Sequence, residues 1–158
     1  MVKELGAKKI RWDLSDLFSG LDDPQINEII DSTQKKAKEF SEKYKTKLVS
    51  LTAADLKIAY LGFESLLKPL YRLSQYMSLR YSTDAANNKI KALLAQVDEI
   101  ESRVQNELVF FELELAKISQ EKYLVLKADP ELKEFSYSLE MTKKTARYNL
   151  SEEEEKII

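Results

Sequence analysis

Apolar residues recur every three or four positions along most of this chain, the period of one helix face. The clearest run is Asp84 to Ile118. It carries Ile90, Leu93, Leu94, Val97, Ile100, Val104, Leu108, Phe111, Leu115 and Ile118, with neither Pro nor Gly. Asp84 suits its N-cap, because a carboxylate accepts from the free amides of a first turn. A single helix over this run would be about 50 Å long. Such a spine predicts an all-α fold, an elongated antiparallel bundle or hairpin of long helices whose neighbours cover the stripe.

The rest of the pattern supplies those neighbours. Residues 1–23 read as an N-terminal arm: a polar, basic start over 1–11, then an anchor turn of Trp12, Leu14, Leu17 and Phe18 capped by Asp13 or Ser15. Asp23 followed by Pro24 opens a helix over about 24–44, with a narrow seam of Ile26, Ile30, Thr33, Ala37, Phe40 and Tyr44. Thr52 and Asp55 resemble a capping box for a helix over about 53–82. Its apolar face (Leu56, Tyr60, Phe63, Leu67, Leu70, Met77, Tyr81) is broadened by Ala59, Leu66 and Leu73, enough for two neighbours. Pro69 inside it removes one backbone hydrogen bond, so a kink is expected rather than a break.

After the spine, Ser119 caps a brief helix over 119–127 with Tyr123, Leu124 and Leu126. Asp129-Pro130 starts another over 130–147, with Leu132, Phe135, Leu139, Thr142 and Ala146 on one face. Its last turns hold Lys143, Lys144 and Arg147, where cations suit the carbonyl end. The helical body thus covers 24–147. Residues 150–158 carry a further start signal: Ser151 as cap, Glu154 as its partner, and acids in the first turn. A helix of so few residues has no stability of its own. The chain is therefore expected to be the N-terminal piece of a longer protein.

Composition narrows the chemistry. The 158 residues suit one domain, and three Gly and three Pro are too few for the turns of an all-β fold. The net charge of −2 favours neither nucleic acid nor an anionic membrane. There is no Cys and no His. Disulfides, thiolate zinc sites and the commonest general base are therefore excluded. Apolar runs are too short to span a membrane, and the start at Met1 lacks a signal-peptide core. A cytoplasmic location is the simplest reading.

Three features invite a functional reading, and each has a structural one. Glu112 and Glu114 are paired in sequence, but residues two apart on a helix point about 200° from each other and cannot share a ligand. The acids Glu152 to Glu155 are explained as a helix N-terminus. The aromatics Tyr71, Tyr76, Tyr81, Phe110, Phe111 and Tyr123 could line a peptide surface, and core is the expected role. No phosphate loop, HExxH or GxSxG occurs. No catalytic, cofactor-binding or metal-binding residue is assigned.

Several segments, in order, resemble the N-terminal region of oligoendopeptidase F, of the thimet-type zinc metallopeptidases. They are Trp12-Asp13-Leu14-Ser15-Asp16-Leu17-Phe18, Tyr71-Arg72-Leu73 with Tyr76-Met77-Ser78-Leu79, Tyr81-Ser82-Thr83-Asp84, Phe110 to Leu115, and Tyr148 to Ile158. The resemblance implies a cytoplasmic enzyme that cuts short peptides. One zinc would be held elsewhere, by an HExxH helix and a downstream Glu, and would lower the pKa of a water whose proton the HExxH Glu takes. The N-terminal helices would form a wall or lid of a deep substrate channel. No zinc ligand can be carried onto this chain, so it is expected to hold no cofactor and, alone, to hydrolyse nothing. Its expected partners are the missing C-terminal catalytic domain and, for the parent, short peptides. The severed piece could also self-associate. The alternative is a free-standing helical scaffold or adaptor that binds a partner through apolar faces.

Overall fold

The computed structural model describes residues 13–157, and all its regular elements there are helical. Trp12, the 1–11 start and Ile158 lie outside the described residues. The anchor turn behind Trp12 closes with Phe18 N–H donating to Leu14 C=O at 3.3 Å. Phe18 is buried against Tyr76, ring centroids 5.0 Å apart. Arg72 lies over the Phe18 ring and donates to the carbonyls of Asp16 (2.7 Å) and Leu17. One guanidinium thus satisfies two turn carbonyls and fastens the N-terminal segment.

Helix α1 spans Pro24–Tyr44. Asp23 caps it, accepting from Gln25 N–H at 2.9 Å and from the Ser19 N–H (2.8 Å) and hydroxyl (2.9 Å). These donors hold the Asp23 carboxyl below the ordinary range, the Ser19 backbone bond most. The expected seam is buried, with Ser41 added. Beyond it, Thr46 turns the chain at φ 69°, in the left-handed region, into a 3₁₀ turn at Leu48–Ser50.

Helix α2, Ala53–Thr83, is the longest element. It runs unbroken through Pro69 because the Ser65 carbonyl that loses its donor lies on an exposed turn, where water can replace it. Its broad face meets α1, the next helix and the 130–135 turn. Gly62 permits the close approach of α1: a Cβ there would sit 3.3 Å from Phe40 Cε2. Tyr81, expected on the buried face, is exposed near the helix end.

The expected single spine over 84–118 is two helices. Asp84 is not its N-cap; its N–H donates to Arg80 C=O at 3.1 Å, closing α2. Asn87 caps instead, accepting from Lys89 N–H (3.0 Å) and Ile90 N–H (3.4 Å). Helix α3 is Asn88–Leu108 and α4 is Phe110–Ala116; the helical pattern is interrupted at Val109, whose backbone stays right-handed at φ −54° and ψ −30°. The physical reason is crowding. Phe110, Phe111, Leu113 and Leu115 are all buried, which requires neighbours on several sides of α4. Helix α4 finds them in the 48–50 turn and in α6 (Ser136–Thr145). The short 84–87 link makes α2 and α3 antiparallel neighbours.

Helix α5, Gln120–Ala128, is capped by Ser119 and buries Tyr123 and Leu126, while Leu124 is exposed. The expected helix over 130–147 begins as a 3₁₀ turn, Pro130–Phe135. Leu132 and Phe135 are three apart, so a 3₁₀ turn puts both on one side, and both are buried. Helix α6 follows, then a 3₁₀ turn at Ala146–Tyr148. The cations expected at its end act elsewhere. Lys143 Nζ donates to the carbonyls of Ala116 (3.1 Å) and Ile118, the end of α4, and Lys144 pairs with Glu140 at 2.6 Å. Arg147 lies over the Tyr148 ring.

Phe111 sits where the helices converge. Its ring stacks on Phe63 at 4.4 Å, meets Tyr60 edge-on at 5.3 Å and lies 5.8 Å from Phe40. Phe111→Ala is expected to lower unfolding free energy by about 3–5 kcal/mol in urea titrations. Val125→Ala, on the surface, should stay within about 0.5 kcal/mol. Because the Asp23 pKa is depressed by folding, its stabilisation is present above the ordinary carboxylate range. It is lost as pH falls through the folded pKa. Asp23→Asn should flatten that acid limb in urea midpoints measured across acid pH.

Candidate functional site

A cleft of about 350 Å³ lies beside Val109, at the junction of α3 and α4. Its floor is apolar: Phe63, Leu67 and Tyr71 from α2, Leu108 at the end of α3, and Leu113 of α4. Gln105, Glu112, Asn149 and Glu155 supply its polar groups. The last two arrive from the C-terminal segment, where helix α7 (Glu152–Glu155) is pinned to the body. Lys45 Nζ at the end of α1 meets Glu152 Oε1 at 2.6 Å. Bonds from Lys156 and then Lys45 lower the Glu152 pKa.

The two carboxylates of the Phe110–Leu115 segment part company. Glu114 accepts from the backbone N–H groups of Thr46 and Leu48, the latter at 3.2 Å. It holds the left-handed turn after α1. Glu112 is exposed and faces the cleft. Three of the four acids of α7 are also occupied. Ser151 and Glu154 form a reciprocal capping box, Glu155 accepts from Leu150 N–H at 2.9 Å, and Glu152 is paired.

The aromatics divide. Tyr76, Phe110, Phe111 and Tyr123 are core, while Tyr71 is 45% and Tyr81 39% exposed, contrary to the core role expected of them. The Tyr71 pKa is raised, by burial first and then by the negative charge of Glu101 and Glu112. Tyr60 lies deeper, and its hydroxyl is buried without a hydrogen-bond partner. Burial pushes its pKa up to about 12. The Ser138 hydroxyl pulls the other way but does not reach hydrogen-bond geometry, and the Glu112 charge adds to the rise.

Sequence reasoning missed the cleft as a unit. Phe63, Leu67 and Leu108 fall on expected apolar stripes and Tyr71 among the aromatics expected in the core, and nothing in the periodicity announces the interruption at Val109. The return of residues 149 and 155 to the same place is a long-range contact. The available signal was Tyr71 and Glu112, two segments of the family resemblance.

Among curated proteins, an oligoendopeptidase F homolog from Borreliella burgdorferi is 28% identical to this chain over 149 residues. The chain is similar to oligoendopeptidase F. The match covers 94% of the chain, which spans only 24% of that relative. No family model matches the chain, and no solved structure matches it. The relation to oligoendopeptidase F drawn from the ordered segments is thus found independently along nearly the whole chain.

The donor groups of this chain do not fit a zinc site. Zinc in proteins is held by Cys, His and carboxylate groups, and this chain has no Cys or His. No group of three or more Asp or Glu among the described residues could hold a metal ion. Glu114→Ala should cost about 1–3 kcal/mol, since it leaves the N–H groups of Thr46 and Leu48 without their acceptor. Glu112→Ala should change stability by less than about 0.5 kcal/mol. Chemical denaturation of the two variants side by side separates the structural carboxylate from the one facing the cleft.

Proposed function

We propose that this chain is the non-catalytic N-terminal helical domain of an oligoendopeptidase F-like zinc metallopeptidase, a cytoplasmic enzyme that hydrolyses short peptides. It forms one wall or lid of the substrate channel and leaves the chemistry to a catalytic domain beyond it. The observation that carries this reading is the proportion of the match: nearly all of this chain, about a quarter of the relative. The donor set agrees, since zinc and its ligands would have to come from the remaining length.

The surface supports a domain that packs against another. Tyr137 and Met141, one turn apart on α6, share an exposed face, and Tyr137 is 73% exposed. Leu124 and Val125 of α5 and Tyr148 are exposed as well. Ile58, Leu61 and Tyr71 of α2 are exposed too; the α6 pair supports the reading because neighbouring apolar side chains on one face are what a packed domain would cover. The same face would serve a free-standing adaptor.

Reading the gene past the codon for Ile158 separates the two. A continuous frame that encodes HExxH supports the peptidase domain, and an early stop codon favours the adaptor. The 158-residue chain with added zinc should not cleave a quenched fluorescent peptide that the longer protein cleaves. In sedimentation velocity the chain should self-associate with rising concentration, and Tyr137→Ser with Met141→Ser should reduce that.

A further inference from the structure

The cleft beside Val109 differs in charge from its neighbours. Its lining includes Glu112 and Glu155 and no Lys or Arg. The cleft between α1 and α2 carries Lys36, Lys68 and Arg72 with Glu28, and another beside Tyr44 carries Lys43 and Lys47 with Asp55. Neither Glu101 nor Glu112 belongs to an ion pair among the described residues. Both charges are nonetheless felt at the Tyr71 hydroxyl. Glu155 spends one oxygen, Oε1, on Leu150 N–H. A wall that carries Glu112 and Glu155, with no Lys or Arg in the lining, therefore stands over an apolar floor, and Lys45 and Lys156 are both held by Glu152.

That combination matches one kind of side chain. Lys and Arg lay an aliphatic stem along apolar surface and keep a charged head near polar groups. An aromatic ring face adds attraction for the head. We infer that this cleft binds a lysine or arginine side chain of a short peptide. The stem lies on Phe63, Leu67 and Leu108, and the head sits among Glu112, Glu155 and the Tyr71 ring. The cleft volume, at the small end of the range for ligand sites, suits one side chain with its flanking backbone. The inference rests on the reading that this chain handles short peptides, and it names which peptides the wall would favour.

The test is an amide NMR titration of the ¹⁵N-labelled 158-residue chain. The probes are acetyl-Ala-Lys-Ala-amide and its Gln counterpart, both blocked so that no terminal charge contributes. The Lys peptide should shift resonances around Gln105, Glu112 and Asn149 to saturation, and the Gln peptide should not. Binding should weaken as salt is raised. Glu112→Gln should weaken it by about tenfold, as expected for the loss of one charge-assisted contact. Glu112 is exposed and makes no hydrogen bond or ion pair among the described residues, so the variant keeps the fold.

Equal shifts from the Gln peptide, shifts centred elsewhere, or unchanged affinity in Glu112→Gln would overturn the inference. So would shifts that follow protein concentration alone, which would place a second copy in the cleft. The peptidase reading fails separately. Lys-peptide binding with an early stop after Ile158 keeps the cleft and removes the peptidase. An HExxH-bearing frame without cleft binding does the reverse.

Discussion

The packing around Phe111 is the constraint on which the rest of the structure depends. Its ring touches Phe63 and Tyr60 of α2 and lies near Phe40 of α1, while Tyr60 stacks in turn on Phe135 at 4.6 Å. Three layers of the bundle therefore meet at one side chain. Gly62 belongs to the same arrangement, because its missing Cβ lets Phe40 approach α2 closely enough to join the cluster. A ring cluster of this kind combines large buried area with preferred tilted and stacked geometries. It fixes both the separation and the rotation of the helices that share it.

Burying Phe111 has a consequence at the surface. Phe110, Leu113 and Leu115 are buried with it, and α4 is set off from α3 at Val109. The cleft lies beside that interruption, and Glu112 faces it while Glu114 reaches the loop after α1. Core and candidate site are thus two faces of one short helix.

Polar side chains fasten the ends of this arrangement. Arg72 holds the N-terminal anchor turn, Asp23 starts α1, Lys143 closes α4, and Lys45 draws in the last helix. Each meets backbone groups or charges that helix ends leave unsatisfied. The Lys45–Glu152 pair is partly exposed and contributes modestly to stability. Its role is positional: it brings Asn149 and Glu155 to the cleft wall.

The all-α class, the seam of α1, the caps at Asp23, Thr52, Ser119 and Ser151, and the likeness to oligoendopeptidase F were legible in the residues. These features are local or periodic, and a helix face or a cap is written within a few consecutive positions. The start of α3 at Asn87 was not legible, because Asp84 has the same capping chemistry and the choice depends on where Ile90 packs. The interruption at Val109 was hidden for a stronger reason. Val104, Leu108, Phe111 and Leu115 stay in phase across it, so periodicity cannot distinguish one long helix from two in succession. The 3₁₀ start before α6 and the exposure of Tyr71 and Tyr81 depend on which neighbour occupies each side. Chain order and helix faces were thus determined by the sequence alone. The surroundings of α4, and with them the cleft, were decided by tertiary packing, because burying four apolar residues of one short helix requires neighbours that no local pattern encodes.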